Sequence, residues 1–181
     1  VVVYGAGPIG LAAIQLAKAA GASKVIAFEL VPERAELAKR AGADYVFNPV
    51  ELEESGTRPS DKVMEVTGGE GADLQVEAAG APERTLPEME RSLAVNGKIA
   101  WIGRADRIAP IFLERFQVRR GQIYGSQGHS GHGIFKNVIR LMASGRIDMR
   151  KIVTGRYRLE SVLEAFEEAK KRTGGKILVK P

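Results

Sequence analysis

A six-residue glycine motif, Gly5-Ala6-Gly7-Pro8-Ile9-Gly10, constrains the fold of this chain more than any other feature. It directly follows the apolar run 1–4 and precedes residues 11–18, whose apolar side chains have helical spacing. The chain therefore opens as a strand, a glycine turn and a helix. Three glycines at this spacing between a strand and a helix are typical of a turn that holds a dinucleotide pyrophosphate.

Each residue of the motif has an expected role. Gly5 permits the tight turn, Gly7 lets a diphosphate approach the backbone, and Gly10 lets the helix pack closely on the strand. The amides of Ile9 and Gly10 are expected to face the anion at the helix N-terminus. Pro8 lacks an N–H group, but at the first helical position that donor has no intrahelical partner.

The second predicted strand ends in Glu29, 19 residues after Gly10. A carboxylate here can accept both ribose hydroxyls of an adenosine and repels a 2′-phosphate, so it favours NAD over NADP. A solvated carboxylate at a strand end is the alternative interpretation. Arg34 follows at the start of the next helix, near where NADP sites use an arginine. No second arginine and no small residue replaces Glu29, so NAD remains favoured.

Composition limits the other functions. The 181 residues contain no cysteine, which excludes disulfides and thiolate metal ligands within them and favours a cytoplasmic location. The net charge is +5, but the basic residues are dispersed among acidic ones, so no nucleic-acid partner is predicted. The apolar runs are too short to span a membrane, so no membrane partner is predicted either. Because the chain starts inside an apolar strand without Met, we expect it to be part of a longer protein.

Strand-like and helix-like segments alternate along residues 1–128. Strands are predicted at 1–4, 25–28, 45–47, 74–79, 98–102 and 122–124. Helices are predicted after the glycine turn and at 32–41, 60–67 and 82–93, whereas Asn48-Pro49 is interpreted as a turn. Pro87 lies inside the last of these helices, so a late start or a kink is expected there. Since right-handed crossovers put helices on both faces, the predicted fold class is α/β, a doubly wound parallel six-stranded Rossmann sheet.

The C-terminal residues 129–181 depart from this alternation. Helices are predicted at 134–143 and 159–171, and a closing strand at 176–179. An open six-stranded sheet does not need these elements. We therefore expect residues 1–128 to form a dinucleotide-binding domain and residues 129–181 to return to a second domain that this sequence lacks.

Ligands of such sheets bind beyond the carboxyl ends of the strands. The ends of the fourth, fifth and sixth predicted strands carry small residues at 78–80, 103 and 125–128. Small side chains there suit a cofactor that lies flat across this edge. Ala79 is the predicted cofactor contact on the fourth strand.

Five tracts in order along the chain resemble the medium-chain, usually zinc-dependent alcohol and polyol dehydrogenases. The resemblance covers essentially the whole chain. Its tracts are 3–11, 37–44, 67–73, 77–80 and the ending 164–179. The stretches 116–120 and 125–133 most resemble the polyol-oxidising branch, which makes an inositol or an inosose a candidate substrate.

The resemblance implies a role for further residues. Ile102, Ser126 and Gly128 match positions whose backbone groups hold the nicotinamide carboxamide, and Arg34 matches a basic residue near the adenosine ribose. Lys176 matches a basic residue that reaches the pyrophosphate from the returning tail; an exposed lysine at a strand end is the alternative. With Gly5, Gly7, Pro8, Ile9, Gly10, Glu29 and Ala79, these residues complete the expected cofactor site.

The resemblance also implies a catalytic zinc in the parent enzyme. Its Cys, His and carboxylate ligands belong to a GroES-like catalytic domain that precedes the glycine motif, so no catalytic residue and no metal ligand is predicted in this segment. His129 and His132 invite a metal interpretation, but zinc catalysis needs three protein ligands and no third is evident nearby. A loop is the preferred interpretation, and a role of His129 in contacting the substrate or lining the cleft of the parent enzyme stays open.

The predicted function is therefore the NAD-binding part of an oxidoreductase that transfers hydride between an alcohol or polyol and NAD. A homo-oligomer, a dimer or a tetramer, is expected, because the region of the sixth strand is often an interface in this family. One alternative is a non-catalytic NAD-sensing module. A second is a methyltransferase that binds S-adenosylmethionine, although its turn usually runs Gly-x-Gly-x-Gly and Pro8-Ile9 interrupts that spacing.

Overall fold

A computed structural model of the chain describes residues 1–128 and 133–181. It contains a six-stranded parallel sheet with the order β3-β2-β1-β4-β5-β6, which confirms the predicted doubly wound α/β fold. The strands are β1 Val2–Tyr4, β2 Ile26–Phe28, β3 Tyr45–Phe47, β4 Ala72–Glu77, β5 Leu93–Trp101 and β6 Gln122–Gly125. The strand order changes direction between β1 and β4, which is where ligands of such sheets bind.

Eight α-helices lie within the described residues. They are α1 Pro8–Ala19, α2 Pro32–Ala41, α3 Pro49–Glu54, α4 Pro59–Val66, α5 Pro82–Arg91, α6 Leu113–Arg119, α7 Ile134–Ala143 and α8 Val162–Lys170. Five of the eight begin at a proline, whose fixed φ suits the first helical position and whose missing N–H costs nothing there. Helix α2 ends at Gly42, whose φ of +113° is the left-handed conformation that glycine adopts readily.

The apolar core lies on both faces of the sheet. Successive side chains of a strand point to opposite faces, so Val2 and Tyr4 join the cluster under α4 and α5. Val3 joins the cluster under α1 and α2, together with Leu11 and Ile14. A strand that is buried on both faces must be apolar throughout, which explains the uninterrupted run at the start of the chain.

The elements differ from the sequence prediction at five places. Helix α3 was interpreted as a turn, yet Asn48 accepts the amide of Val50 at 3.0 Å and Pro49 supplies the first helical residue. Asn-Pro pairs start turns and helices alike, so the pattern was ambiguous. Helix α5 starts at Pro82 and continues past Pro87 rather than starting late. Strand β5 starts five residues before the predicted Lys98, and α6 and a seventh strand were not predicted.

That seventh strand, β7 Val153–Arg158, pairs in parallel with β8 Lys176–Lys180 in a separate two-stranded sheet. Short 3-10 turns at 149–152 and 159–161 precede β7 and α8. The tail packs on the α1 side of the main sheet, where Ile152 joins the core and Gln15 exchanges two hydrogen bonds with the backbone of Asp148 at 2.8 and 3.1 Å. The tail therefore returns close to the glycine turn.

Candidate dinucleotide site

The glycine turn joins β1 to α1 through two close backbone approaches. Gly5 has a φ of +88°, and a Cβ there would lie 2.8 Å from the Cα of Ala79, beyond the end of β4. A Cβ on Gly10 would lie 1.8 Å from the carbonyl oxygen of Gly5. Both glycines are therefore required by packing within the protein, and they bring the N-terminus of α1 against the ends of β1 and β4.

Gly7 differs from the other two glycines of the motif. Its φ of −67° suits any residue, and the nearest atom to an added Cβ would be Nη1 of Arg34 at 3.9 Å. The protein itself would accept a side chain at this position. The space in front of Gly7 is therefore an open cradle that a Cβ would fill, which is what a bound diphosphate requires.

The N-terminus of α1 is available to an anion. Gly7 is the N-cap residue and offers no side chain to accept the first amides, and the first turn holds no acidic residue. Pro8 occupies the first helical position, and Ile9 is 52% exposed. Free amides and the helix dipole together favour a phosphate at this end of the helix.

Glu29 lies beyond the end of β2 and is buried, with 7% of its surface exposed. Its Oε2 accepts the amide of Ala6 at 2.6 Å, and its Oε1 accepts the amides of Leu30 and Val31, each at 2.9 Å. A carboxylate has about four lone-pair sites, so one remains on Oε2. The carboxylate therefore connects the glycine turn to the end of β2, and it can still accept a hydrogen bond from one hydroxyl. The predicted contact with two ribose hydroxyls would require one hydroxyl to share an oxygen lone pair with a backbone amide.

Arg34 in the first turn of α2 connects the site to the C-terminal tail. Its Nε donates to the carbonyl oxygen of Gly174 at 3.0 Å, while Nη1 faces the cradle in front of Gly7. The guanidinium thus lies beside the expected diphosphate path, and Arg34 lines the same cavity as Glu29. The sequence placed Arg34 at the ribose but did not predict its contact with the tail.

A cavity of about 700 Å³ opens beside these groups. Its walls come from the ends of β1, β2 and β4, from α3 and from α5. The lining includes Tyr4, Gly5, Gly7, Phe28, Glu29, Leu30, Arg34, Val50, Ala79, Thr85 and Arg172. A mostly apolar cavity next to an anion cradle is a suitable receptor for a flat aromatic base attached to a phosphate.

The remaining predicted contacts lie outside this cavity. Ile102 donates its amide to the backbone oxygen of Glu77 at 3.0 Å, and Ser126 donates to Trp101 at 2.9 Å, so both follow their strands at the same edge of the sheet. Gly128 is exposed in the loop after β6, and Lys176 is exposed at the start of β8. His129 and His132 lie outside the described residues.

Glu77, the last residue of β4, is an important side chain that the sequence did not single out. It is fully buried, and its Oε1 accepts the amides of Ala79 and Gly80 at 3.2 and 2.9 Å. Its Oε2 has no hydrogen-bond partner within the described residues, and burial raises the pKa of this carboxyl above its ordinary value. Glu77 therefore shapes the turn that meets Gly5. The acidic residue at the end of this strand was the available signal.

Within residues 1–128 and 133–181, no group of three or more His, Asp or Glu side chains could hold a metal ion. In the same part of the chain, no helix is both long and apolar enough to cross a membrane.

Comparison with known families connects this geometry to one group of enzymes. The family model described as zinc-binding dehydrogenase matches residues 8–144, which is more than half of the chain. The chain belongs to the zinc-binding dehydrogenase family. The matched region begins at Pro8 and includes Gly10, Glu29, Arg34 and most of the residues that line the cavity, so the family resemblance inferred from five short tracts is confirmed.

Individual relatives agree with this assignment. The chain is 46% identical over 168 residues to scyllo-inosose 3-dehydrogenase of Thermotoga maritima, covering 91% of this chain and 41% of that protein. It is 34% identical to L-threonine 3-dehydrogenase of Pyrococcus horikoshii, covering 98% of this chain and 50% of that protein. A solved putative alcohol dehydrogenase of Thermotoga maritima superposes with a TM-score of 0.91 at 42% identity, covering 99% of this chain and 45% of that one. The chain thus spans about half the length of the relatives it matches.

Proposed function

We propose that this segment binds NAD(H) and forms the cofactor-binding half of an alcohol or polyol dehydrogenase. The observation that carries the proposal is the open cradle in front of Gly7, with the N-terminus of α1 on one side and Arg34 on the other. Packing within the protein accounts for Gly5 and Gly10 but leaves Gly7 unexplained. A diphosphate against the backbone accounts for it.

The neighbouring groups suit the two ends of an adenosine diphosphate moiety. The apolar cavity beside Phe28, Leu30 and Val50 would receive the adenine, and Glu29 would accept a ribose hydroxyl through Oε2. The same carboxylate would repel a 2′-phosphate, which supports NAD over NADP. The nicotinamide would extend toward the ends of β5 and β6, where Ile102, Ser126 and Gly128 remain its proposed contacts.

When bound, NAD supplies a nicotinamide ring that accepts the hydride of a carbinol carbon. The residues described here bind and orient that ring. The groups that would position the substrate, including the zinc expected from the family, are proposed to lie in the part of the protein outside residues 1–181. This division corresponds to a cofactor-binding domain at 1–128 and a returning segment at 129–181.

The substrate is proposed to be a small alcohol or polyol, with an inositol or inosose as the first candidate. Support comes from the 46% identity to scyllo-inosose 3-dehydrogenase, which exceeds the 34% identity to the threonine enzyme. We also propose a cytoplasmic homo-oligomer, a dimer or a tetramer. The edge strand β6 supports it, because all four of its residues are exposed and an unpaired edge invites pairing with another chain.

Calorimetric titration of the whole 181-residue chain tests the cofactor proposal. NADH is expected to bind, and NADPH to bind about tenfold more weakly or worse because of Glu29. S-adenosylmethionine, which lacks phosphate, is expected not to bind. Tighter binding of S-adenosylmethionine than of NADH would reject the dehydrogenase proposal in favour of a methyltransferase.

A further inference from the structure

Arg172 occupies a backbone conformation that normally belongs to glycine. Helix α8 ends at Lys170 with Lys171 as its C-cap, and Arg172 follows with a φ of +56°. Its amide donates back to the carbonyl oxygen of Ala169 at 3.3 Å, which closes the helix. This left-handed position is strained for a residue with a Cβ, and glycine is the usual choice. Arg120 ends α6 in the same conformation, so what distinguishes Arg172 is where it lies relative to the site.

Arg172 is among the residues that line the candidate dinucleotide cavity. Within the described residues, the other non-glycine positions with positive φ are Asn96 and Arg120, and neither lines the cavity. Lys176, which the sequence predicted as the cation of the tail, does not line it either. Arg172 is therefore the basic residue that the C-terminal tail brings to the site.

The backbone next to Arg172 is firmly held. Arg34 binds the carbonyl oxygen of Gly174 at 3.0 Å, and the amide of Gly175 donates to Oγ1 of Thr154 at 3.0 Å. A Cβ on Gly175 would lie 2.2 Å from the carbonyl oxygen of Ile152, so the tail cannot accept a side chain there. These contacts fix the segment 172–175 against α2 and β7.

The charge of Arg172 is also uncompensated. Its two neighbours Lys170 and Lys171 pair with Glu167 and Glu168 on the same helix. In residues 1–128 and 133–181, by contrast, no carboxylate lies within 4.0 Å of the guanidinium of Arg172. Among the other charged residues that line the cavity, Arg84 pairs with Glu53 and Glu88 pairs with Arg91. Arg34 has no carboxylate partner within the described residues either, so Arg34, Arg172 and the N-terminus of α1 are available to an anion.

We propose that Arg172 binds the phosphate groups of the dinucleotide and is the cation through which the tail contacts the cofactor, in place of Lys176. This inference rests on the proposed NAD(H) function. A guanidinium presents several donors in a fixed fork that matches phosphate oxygens, which suits a residue whose backbone is already restrained.

The test compares two substitutions of the same kind, Arg172→Gly and Arg120→Gly, in the whole chain. Each replaces a left-handed arginine at a helix end by glycine, so neither should lower the melting temperature. Arg172→Gly is expected to weaken NADH and ADP-ribose binding about tenfold or more, the loss typical of a charge-assisted hydrogen bond. Arg120→Gly and Lys176→Ala should leave both affinities within about twofold of the parent, a change too small to represent a lost hydrogen bond. Adenosine, which has no phosphate, should bind the parent and Arg172→Gly equally.

The outcomes separate this inference from the function on which it rests. A parent chain that binds no NADH overturns both. A parent that binds NADH while Arg172→Gly binds it equally well overturns only the role of Arg172. Loss of binding in Lys176→Ala with none in Arg172→Gly restores the assignment to Lys176. Equal weakening of adenosine and NADH by Arg172→Gly would indicate a distorted cavity and would also overturn the phosphate contact.

Discussion

The carboxylate of Glu29 accepts the backbone amide of Ala6 at 2.6 Å, although 23 residues separate them along the chain. The residue expected to recognise the ribose is thus bonded to the turn expected to hold the diphosphate. Displacement of either one moves the other. Substitutions at Glu29 should therefore affect stability and cofactor selection together, whereas substitutions at Gly7 should affect binding alone.

Replacing Glu29 by alanine should weaken NADH binding about tenfold to a hundredfold and reduce the preference for NADH over NADPH. The ribose contact and the repulsion of a 2′-phosphate are lost together, and a hydrogen bond to a charged group contributes about 1.5–3 kcal/mol. The melting temperature should also fall, because the amides of Ala6, Leu30 and Val31 lose their acceptor. Calorimetry with both dinucleotides and thermal denaturation check this. Tighter NADPH than NADH binding by the unmodified chain would show that Glu29 does not select NAD.

Replacing Gly7 by valine should abolish NADH binding with little change in stability. The φ at this position suits valine, and the added Cβ meets no protein atom closer than 3.9 Å but enters the cradle. Gly10→Ala is the matched comparison, since its Cβ would lie 1.8 Å from the carbonyl oxygen of Gly5. It should destabilise the fold by about 1–3 kcal/mol or more. NADH affinity retained in Gly7→Val would mean that the diphosphate does not bind at this turn.

Replacing Glu77 by glutamine should change how stability depends on pH. Burial raises the pKa of Glu77 in the folded protein, so its contribution to stability is fully present below the ordinary value of 4.5 and is lost as the pH rises through the raised value. Glutamine does not titrate. The melting temperature of Glu77→Gln minus that of the parent should therefore increase as the pH rises above 4.5.

Circular dichroism at several pH values measures this difference. A constant difference for Glu77→Gln across the same range would show that the buried carboxyl does not titrate in this window.

The isolated segment should bind NADH without oxidising any alcohol or polyol, and added zinc should not restore turnover. It contains no cysteine and two histidines close together at 129 and 132, whereas catalytic zinc needs three protein ligands. Positioning of the substrate and stabilisation of its alkoxide supply most of the rate enhancement. Formation of reduced nicotinamide is followed spectroscopically with a panel of alcohols and inositols, with and without zinc. Zinc-dependent turnover would assign a metal site to His129 and His132.

The elements that the sequence predicted well depend on residues close together along the chain. Pro32 and Gly42 delimit α2 in the structure as in the prediction, because a proline start and a left-handed glycine end are local signals. The same holds for the glycine turn between β1 and α1. Local signals failed where one pattern has two meanings, as at Asn48-Pro49, which starts α3 instead of a turn.

The residues of the candidate site likewise fall into those that local sequence signals predict and those that they do not. Its phosphate turn and the acid at the end of β2 are visible in the sequence, since each is defined by its position next to a strand. The contact of Arg34 with Gly174 spans 140 residues, and no periodicity or motif encodes it. Arg172 lines the cavity because the tail packs against the main sheet. The hydrogen bonds of buried Glu77 likewise depend on how the turn after β4 folds back over the strand end.

The sequence by itself determined the order of strands and helices, the doubly wound sheet and the place of the dinucleotide turn, because backbone geometry and apolar periodicity act over a few residues. Only the tertiary structure decided which basic residue of the tail lines the cavity. It also decided that the carboxylate of Glu29 accepts a hydrogen bond from the glycine turn. Contacts of this kind follow from the packing of distant segments. Arg172 and Lys176 are four residues apart and chemically alike, yet one lines the cavity and the other begins a strand beside it.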